Sequence, residues 1–162
     1  MGNAFNPCEI LEIAIGIEEN GRRAYESFEE KAKDPKTKEM WAYLRAQEAE
    51  HKKTFQDMLD ERRNCEVQEF VPGEYEGYLQ AIASDYIFTS KIIEEKIKKG
   101  FSSELEAIDF GIQMEKDSIL AYSAFAEVLN NKEQAVLSKV ITQEREHLIK
   151  FTEFKTYLKK GG

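Results

Sequence analysis

Several features that mark other protein classes are scarce in this chain of 162 residues. It has only three prolines, and long stretches place apolar residues at helical spacing, so the sequence predicts an all-helical protein. Its two cysteines, Cys8 and Cys65, form no C-x-x-C pair, which argues against a structural zinc site built from thiolates. We expect both to be free thiols in a reducing cytosol.

Long apolar runs and excess positive charge are also missing. The stretch from Ile10 to Ile17 is only eight residues long and is interrupted by Glu12, far short of a membrane span. No basic segment precedes it, as a secretory signal requires, so we expect a cytoplasmic protein with no membrane partner. The net charge of -8 argues against nucleic acid as a partner and favours the attraction of cations.

Histidine is equally rare, but both copies stand in the same sequence context. Each histidine follows a glutamate by three positions, and each Glu-x-x-His pair is preceded by a Glu-x6-Tyr element. The first and second glutamates are 30 residues apart in one half of the chain and 29 in the other. The eight residues of this repeated motif are Glu18, Tyr25, Glu48, His51, Glu115, Tyr122, Glu144 and His147.

Helical periodicity places the four glutamates and two histidines on apolar faces. Residues three and four apart share one face of a helix, and counting in these steps from each glutamate gives mostly apolar neighbours. A protein core accepts charged groups only when they are paired or bound to metal. Glu19 is next to this face but about 100 degrees away from it, so we expect its side chain to be solvated.

Turn signals predict that these groups lie at one height. Asp34 and Pro35 read as an N-cap followed by proline at the first helical position, and Asn130 and Asn131 mark a second turn. In each half the two glutamates are equally far from the turn. Antiparallel helices would therefore present two carboxylates and one imidazole per hairpin in a single layer.

The connection over residues 62–102 is too long to join antiparallel neighbours, so we expect a crossover that makes the second and third bundle helices parallel. Within it, Tyr78 to Lys99 has the character of one or two short helices. Gly100 is predicted to end this segment, and Ser103 and Glu106 to form a capping box for the next long helix.

Together these signals predict an all-α four-helix bundle of two antiparallel hairpins in a single domain, residues 1–162. The first hairpin covers about 7–61, the crossover about 62–102 and the second hairpin about 103–159. Four carboxylates and two imidazoles balance the charge of two divalent ions. This donor set favours iron or manganese over calcium.

The repeated motif resembles the ferritin-like superfamily and, within it, the rubrerythrins, over roughly residues 8–60 and 103–158. The resemblance implies a centre of two iron ions, or manganese or a mixed pair, that reacts with dioxygen or hydrogen peroxide. It implies terminal ligands Glu18 and Glu115, bridging ligands Glu48 and Glu144, and one imidazole per metal from His51 and His147. Tyr25 and Tyr122 would then surround the ligands without binding metal, each hydrogen-bonded to a carboxylate of the opposite half. The alternative is that both are ordinary core tyrosines.

Two departures from the rubrerythrin pattern bear on function. Ser118 stands where many rubrerythrins have an additional glutamate, and the chain lacks the paired C-x-x-C motifs of a rubredoxin domain. We therefore expect an external electron donor, or incoming ferrous iron in that role. Ser118 and the equivalent Gly21 are small, which indicates either room for an oxidant beside the metals or close helix packing.

The leading hypothesis is an oxidoreductase that oxidises Fe(II) with peroxide or dioxygen. One alternative is a ferritin-like assembly that handles or stores iron, and another is a non-catalytic helical binding module stabilised by metal. The resemblance also implies a homodimer or higher homo-oligomer.

Overall fold

A computed structural model of the chain describes residues 5–66 and 73–161, and helices account for most of both ranges. The long helices are α1 (Pro7–Lys31), α2 (Pro35–Glu61), α3 (Gly73–Lys99), α4 (Glu104–Phe125) and α5 (Asn131–Lys159). The pairs α1/α2 and α4/α5 form two hairpins, and α3 connects them along the outside. This architecture confirms the predicted all-α bundle with a long crossover.

Side-chain caps set both hairpin turns where the sequence predicts them. The Asp34 carboxylate accepts a hydrogen bond from the Thr37 amide at 2.8 Å, with Pro35 as the first residue of α2. At the second turn, the Asn130 side chain accepts from the Glu133 amide, and the Glu133 carboxylate accepts from the Asn130 amide, each at 3.0 Å. Such caps satisfy amides that have no partner within the helix.

The end of α3 and the start of α4 follow the prediction in part. Gly100 has a positive φ of 75°, and its amide donates to the Lys96 carbonyl at 2.8 Å, so it ends α3 as predicted. Ser103 caps α4 by accepting from the Glu106 amide at 3.1 Å. The second hydrogen bond of a capping box would run from the Ser103 amide to the Glu106 carboxylate, and this part of the prediction is wrong. The Glu106 carboxylate accepts instead from the amide and hydroxyl of Ser102. Ser102 offers this carboxylate two donors where the Ser103 amide offers one.

The crossover segment is a single helix of 27 residues, longer than the one or two short helices predicted. At about 1.5 Å per residue it extends roughly 40 Å, the length of the bundle. Its buried residues Leu79, Ile82 and Ile93 keep one helical face turned towards α1 and α4. At Gly16 of α1, an added Cβ would lie 2.1 Å from the Tyr86 hydroxyl, so this glycine permits the close approach of α3.

Contacts at the two ends of the bundle establish the helix directions. The Lys33 amide, after α1, donates to Glu104 at the start of α4 at 3.0 Å. At the other end, Arg62 after α2 forms an ion pair with Glu133 near the start of α5, with Nε 2.7 Å from Oε1. Helices α2 and α4 therefore run in the same direction, as the crossover predicts.

The apolar core is divided into two clusters, and the glutamate and histidine side chains lie between them. One cluster contains Leu11, Phe55, Tyr122, Phe125 and Leu137, and the other contains Tyr25, Phe28, Trp41, Ile108 and Phe151. Across the two described ranges, no helix combines the length and apolar character needed to cross a membrane.

A disulfide joins Cys8 and Cys65, so the prediction of two free thiols is wrong. Cys8 lies in the first turn of α1 and Cys65 shortly after α2. Because α1 and α2 are antiparallel, these positions meet at one end of the bundle, with Cα atoms 5.3 Å apart. A cytoplasmic location stays a prediction, but it loses the support that free thiols gave it.

Replacing both cysteines by serine should lower the free energy of unfolding by about 2–4 kcal/mol, because the disulfide closes a long loop in the unfolded chain. Chemical denaturation of the double variant beside the oxidised parent measures this difference. The helical circular dichroism of the variant should be unchanged, since the core clusters do not depend on the bond. Equal stability of the two proteins would contradict a stabilising role for this bond.

Candidate metal centre

The structure brings all six predicted site residues into one layer at the middle of the bundle. Each of the four long bundle helices contributes to this layer: Glu18 from α1, Glu48 and His51 from α2, Glu115 from α4, and Glu144 and His147 from α5. At most 4% of the surface of any of them is exposed. Such burial of four carboxylates requires a compensating interaction.

The six residues fall into two overlapping groups whose ligand atoms lie within 4.8 Å of one another. The first group is Glu18, Glu48, His51 and Glu144; the second is Glu48, Glu115, Glu144 and His147. Glu48 and Glu144 are common to both groups. Two adjacent cations could be held by such an arrangement, with two shared carboxylates and one imidazole for each.

Both imidazoles turn Nδ1 towards the carboxylates. His51 Nδ1 lies 2.8 Å from Glu144 Oε1 and 3.4 Å from Glu18 Oε2. His147 Nδ1 lies 3.3 Å from Glu144 Oε2 and 3.4 Å from Glu115 Oε2. His147 Nδ1 also lies 3.8 Å from Glu48 Oε1, so each imidazole faces carboxylates of the other half as well as its own.

Many inward-facing donor atoms lack hydrogen bonds, although they are close together. One oxygen of each of the four glutamates and Nδ1 of His51 have no hydrogen-bond partner among the described residues. The short separation of His51 Nδ1 from Glu144 Oε1 thus lacks the geometry of a hydrogen bond. Buried polar atoms are rarely left unsatisfied, so these five atoms fit a bound cation better than a protein partner.

Burial and mutual repulsion raise the pKa values of most of the carboxyls. Burial raises the pKa of Glu48 well above its ordinary value, and the other three carboxylates add to the shift. Burial also raises the pKa values of Glu18 and Glu115, with Glu144 contributing to both. Burial also acts to raise the pKa of Glu144, but the close contacts with Glu115 and both imidazoles outweigh it and hold this pKa below the usual range.

The imidazoles are shifted towards the protonated form. Burial favours neutral imidazole, but contacts with Glu144 and Glu18 outweigh it and raise the pKa of His51 to about 10. In the same way, Glu115 and Glu144 outweigh burial and raise the pKa of His147 to about 9. At neutral pH without metal, the two imidazolium groups therefore offset part of the negative charge.

The two motif tyrosines each bond to a carboxylate of the opposite half. The Tyr25 hydroxyl donates to Glu115 Oε1 at 2.5 Å, and the Tyr122 hydroxyl donates to Glu18. Burial raises the pKa values of both hydroxyls well above their ordinary value, so they remain protonated donors. Each tyrosine links the two halves and orients one unshared carboxylate, which confirms the predicted hydrogen bonds.

Gly21 and Ser118 line a cavity that reaches the cluster beneath α3. An added Cβ at Gly21 would lie 2.3 Å from Glu48 Oε2, so a larger residue would require this carboxylate to move. The cavity has a volume of about 50 Å³, and Ile17, Ile82, Tyr86, Ile93 and Ala121 also line it. A water molecule needs roughly 10–15 Å³ of such space, so the cavity is large enough for a diatomic or similarly small molecule. Both interpretations of these small residues therefore apply, since they leave space beside the cluster and Gly21 also permits close packing against Glu48.

Sequence reasoning placed Glu19 correctly and overlooked Gln143. Glu19 pairs with Arg22 at 2.9 Å and Lys52 at 3.0 Å outside the cluster. Gln143 Oε1 lies 3.1 Å from His51 Nε2, on the side of the ring away from the carboxylates. The available signal was that glutamine immediately precedes the second glutamate in both halves of the chain.

Comparison with protein-family models matches residues 9–155 to the family described as Rubrerythrin. The chain belongs to the rubrerythrin family. The match includes all four bundle helices and the crossover, so it confirms the resemblance carried by the repeated motif. No curated protein sequence matches this rubrerythrin-family chain.

Among solved structures, the protein is similar to a candidate ferritin-like diiron-carboxylate protein from Thermotoga maritima. The two share 27% sequence identity with a TM-score of 0.71, over 96% of this chain and 98% of the other. The similarity therefore extends over the whole rubrerythrin-family bundle, including the crossover helix, and confirms the ferritin-like fold.

Proposed function

We propose that this rubrerythrin-family protein is a non-haem di-iron oxidoreductase that oxidises Fe(II) with hydrogen peroxide or dioxygen. The observation that carries the proposal is the pair of overlapping, buried donor groups, in which one oxygen of each glutamate has no hydrogen-bond partner among the described residues. The similar Thermotoga maritima protein, described as a diiron-carboxylate protein, supports iron as the metal. Manganese or a mixed pair fits the same donors.

The proposed ligand roles follow the two groups. Glu48 and Glu144 belong to both groups and would be shared by the two metals, while Glu18 and Glu115 each belong to one group and would each bind one metal. His51 and His147 would supply one neutral nitrogen to each metal. Four carboxylates balance two divalent cations, so the occupied centre would be close to neutral in its buried layer.

When bound, an iron pair supplies the electrons that reduce the oxidant and the positive charge that stabilises reduced oxygen. The chain supplies orientation and access. The Tyr25 and Tyr122 hydroxyls hold the terminal carboxylates in place, and the cavity at Gly21 admits small oxidants. Its mostly apolar walls limit the entry of bulk water and of large reductants. Electrons are therefore expected from an external donor at the surface or from incoming ferrous iron.

Anaerobic loading with two Fe(II) per chain, followed by rapid mixing with peroxide or with dioxygen, tests the proposed reaction. The protein should oxidise iron much faster than iron in free solution, and Glu48→Ala combined with Glu144→Ala should reduce the rate to that of free iron. Glu19→Ala is the matched control, because this neighbouring glutamate faces Arg22 and Lys52 instead. Rapid oxidation of both irons in the double variant would refute the assignment.

Assembly size separates this proposal from iron storage. A dimer or small oligomer in sedimentation velocity is expected for the oxidoreductase, whereas a closed shell of many copies would favour the storage alternative. A protein that binds two irons but accelerates neither oxidation would favour the non-catalytic module.

Metal affinity should fall as the pH falls. The pKa values of about 10 for His51 and about 9 for His147 mean that both imidazoles must release a proton to bind metal at pH 7. The affinity should therefore rise by roughly tenfold per pH unit for each proton released, up to about pH 9 for His147 and about pH 10 for His51. Chelator competition at pH 6, 7 and 8 measures this slope. A constant affinity over this range would contradict the protonated state assigned to the metal-free cluster.

A further inference from the structure

The two halves of the cluster differ in the hydrogen bonds formed by the outer nitrogen, Nε2, of their imidazoles. Gln47 and Gln143 occupy equivalent positions, each immediately before a shared glutamate. Gln143 Oε1 lies 3.1 Å from His51 Nε2 across the bundle. Gln47 does not mirror this contact, since its amide donates to Glu50 at 3.3 Å. His147 Nε2 is buried and has no hydrogen-bond partner in the part of the chain that the structure describes.

The Gln143 contact determines which ring nitrogen of His51 carries the proton when the ring is neutral. An amide oxygen only accepts hydrogen bonds, so Nε2 must be the donor, and the lone pair is left on Nδ1. Nδ1 is the nitrogen that faces Glu144 and Glu18. The contact thus fixes both the tautomer and the ring orientation that a cation in the first group requires.

His147 also turns Nδ1 inward, but none of the described residues forms a hydrogen bond with its outer nitrogen. Its ring stacks on that of His51 with centroids 5.6 Å apart and meets the Tyr43 ring edge to face at 6.3 Å. These contacts restrict the ring but neither accept nor donate a proton at Nε2. The second group must therefore select its tautomer without help from a hydrogen bond.

We propose that Gln143 is a positioning residue that makes the Glu18/His51 half-site the tighter of the two, so that metal ions bind in sequence. The inference rests on the proposed metal centre. Outer hydrogen-bond partners of metal-bound histidines typically change affinity by about 10–100-fold. The first cation should enter the half-site with Gln143, and the second should follow in the half-site of Glu115 and His147.

Anaerobic titration of the metal-free protein with Co(II) against a competing chelator resolves the two steps. Gln143→Leu should weaken the first step by about 10–100-fold and leave the second nearly unchanged. Gln47→Leu is the matched control, with the same change at the equivalent position, and should alter neither step. Gln143→Glu keeps an acceptor oxygen at this place and should restore the first step.

Imidazole NMR of the Zn(II)-loaded protein provides a readout that a general loss of structure would not reproduce. The chain has only two histidines, so both rings can be assigned from long-range proton–nitrogen spectra. The Nε2 proton of His51 should exchange slowly in the parent and quickly in Gln143→Leu, while the His147 signals stay the same.

Several results would overturn the inference. The inference fails if Gln143→Leu leaves both steps unchanged or weakens them equally, or if Gln47→Leu has the same effect as Gln143→Leu. Each of these outcomes leaves the metal centre intact. Failure of the parent protein to bind two Co(II) per chain would instead reject the proposed centre itself.

Discussion

Loading the metal-free protein with Mn(II) should raise its midpoint of thermal unfolding by roughly 15–30 °C. An ion present at about 1,000 times its dissociation constant stabilises the folded state by about 4 kcal/mol, so two ions contribute about 8 kcal/mol. For a chain of this size each kcal/mol shifts the midpoint by about 2–4 °C. The physical source is the buried layer itself, where like charges without sufficient partners oppose folding until cations enter.

Differential scanning calorimetry of chelator-treated protein, with and without Mn(II), measures this shift. Ca(II) serves as the control ion, because it prefers oxygen ligands and a larger coordination shell, and it should shift the midpoint much less. The Glu48→Ala, Glu144→Ala double variant should show no shift with Mn(II). A parent protein equally stable with and without Mn(II) would mean that the buried charges are compensated in another way.

Glu48→Gln should stabilise the metal-free protein while it weakens metal binding. Burial and the other three carboxylates all raise the pKa of Glu48. Its charge is therefore unfavourable in the folded state. The neutral amide has nearly the same shape, so it removes repulsion of about 1–4 kcal/mol per close carboxylate pair without leaving a cavity. Opposite changes in stability and in metal affinity distinguish a functional carboxylate from a structural one.

The pH dependence of this gain has a definite sign. A carboxyl whose pKa is raised on folding favours the folded state least at high pH, where the unfolded chain releases its proton more readily. The advantage of Glu48→Gln should therefore be small below about pH 4.5 and increase towards neutral pH. Urea unfolding of chelator-treated parent and variant at pH 4.5 and pH 7 measures it.

Glu133→Gln is the matched control for this experiment. Glu133 is also a buried glutamate, but it pairs with Arg62 through contacts of 2.7 and 2.9 Å. Breaking one partner of a buried pair costs about 3–5 kcal/mol, so this variant should be less stable than the parent. If both variants were destabilised alike, the cluster would be a structural ion-pair network without metal.

The layer of site residues could be predicted from sequence because it depends on local periodicity alone. Helical spacing puts each Glu-x-x-His pair on one face, and the caps at Asp34 and Asn130 set the two hairpin registers. The repeat then requires both halves to present their groups at equal height. The structure confirms this meeting of side chains, and their role as metal ligands stays a prediction.

The features that sequence reasoning missed depend on contacts between distant segments. The length of α3 is supported by packing of its one apolar face on α1 and α4, which no local signal reveals. The bond between Cys8 and Cys65 follows from the antiparallel first hairpin, because spacing in sequence alone does not bring its ends together. Gln143 is similar, since its role depends on which helix lies across the bundle from His51.

The disulfide described above also has a consequence for the unfolded chain. Residues 8–65 form a closed covalent ring, and three of the six candidate ligands, Glu18, Glu48 and His51, lie inside it. A ring of this size cannot extend fully, so these three groups are on average closer together than in an open chain, even when every helix has melted. A cation that encounters the oxidised, denatured polypeptide therefore meets a partly gathered set of ligands, and refolding around it starts with a shorter conformational search.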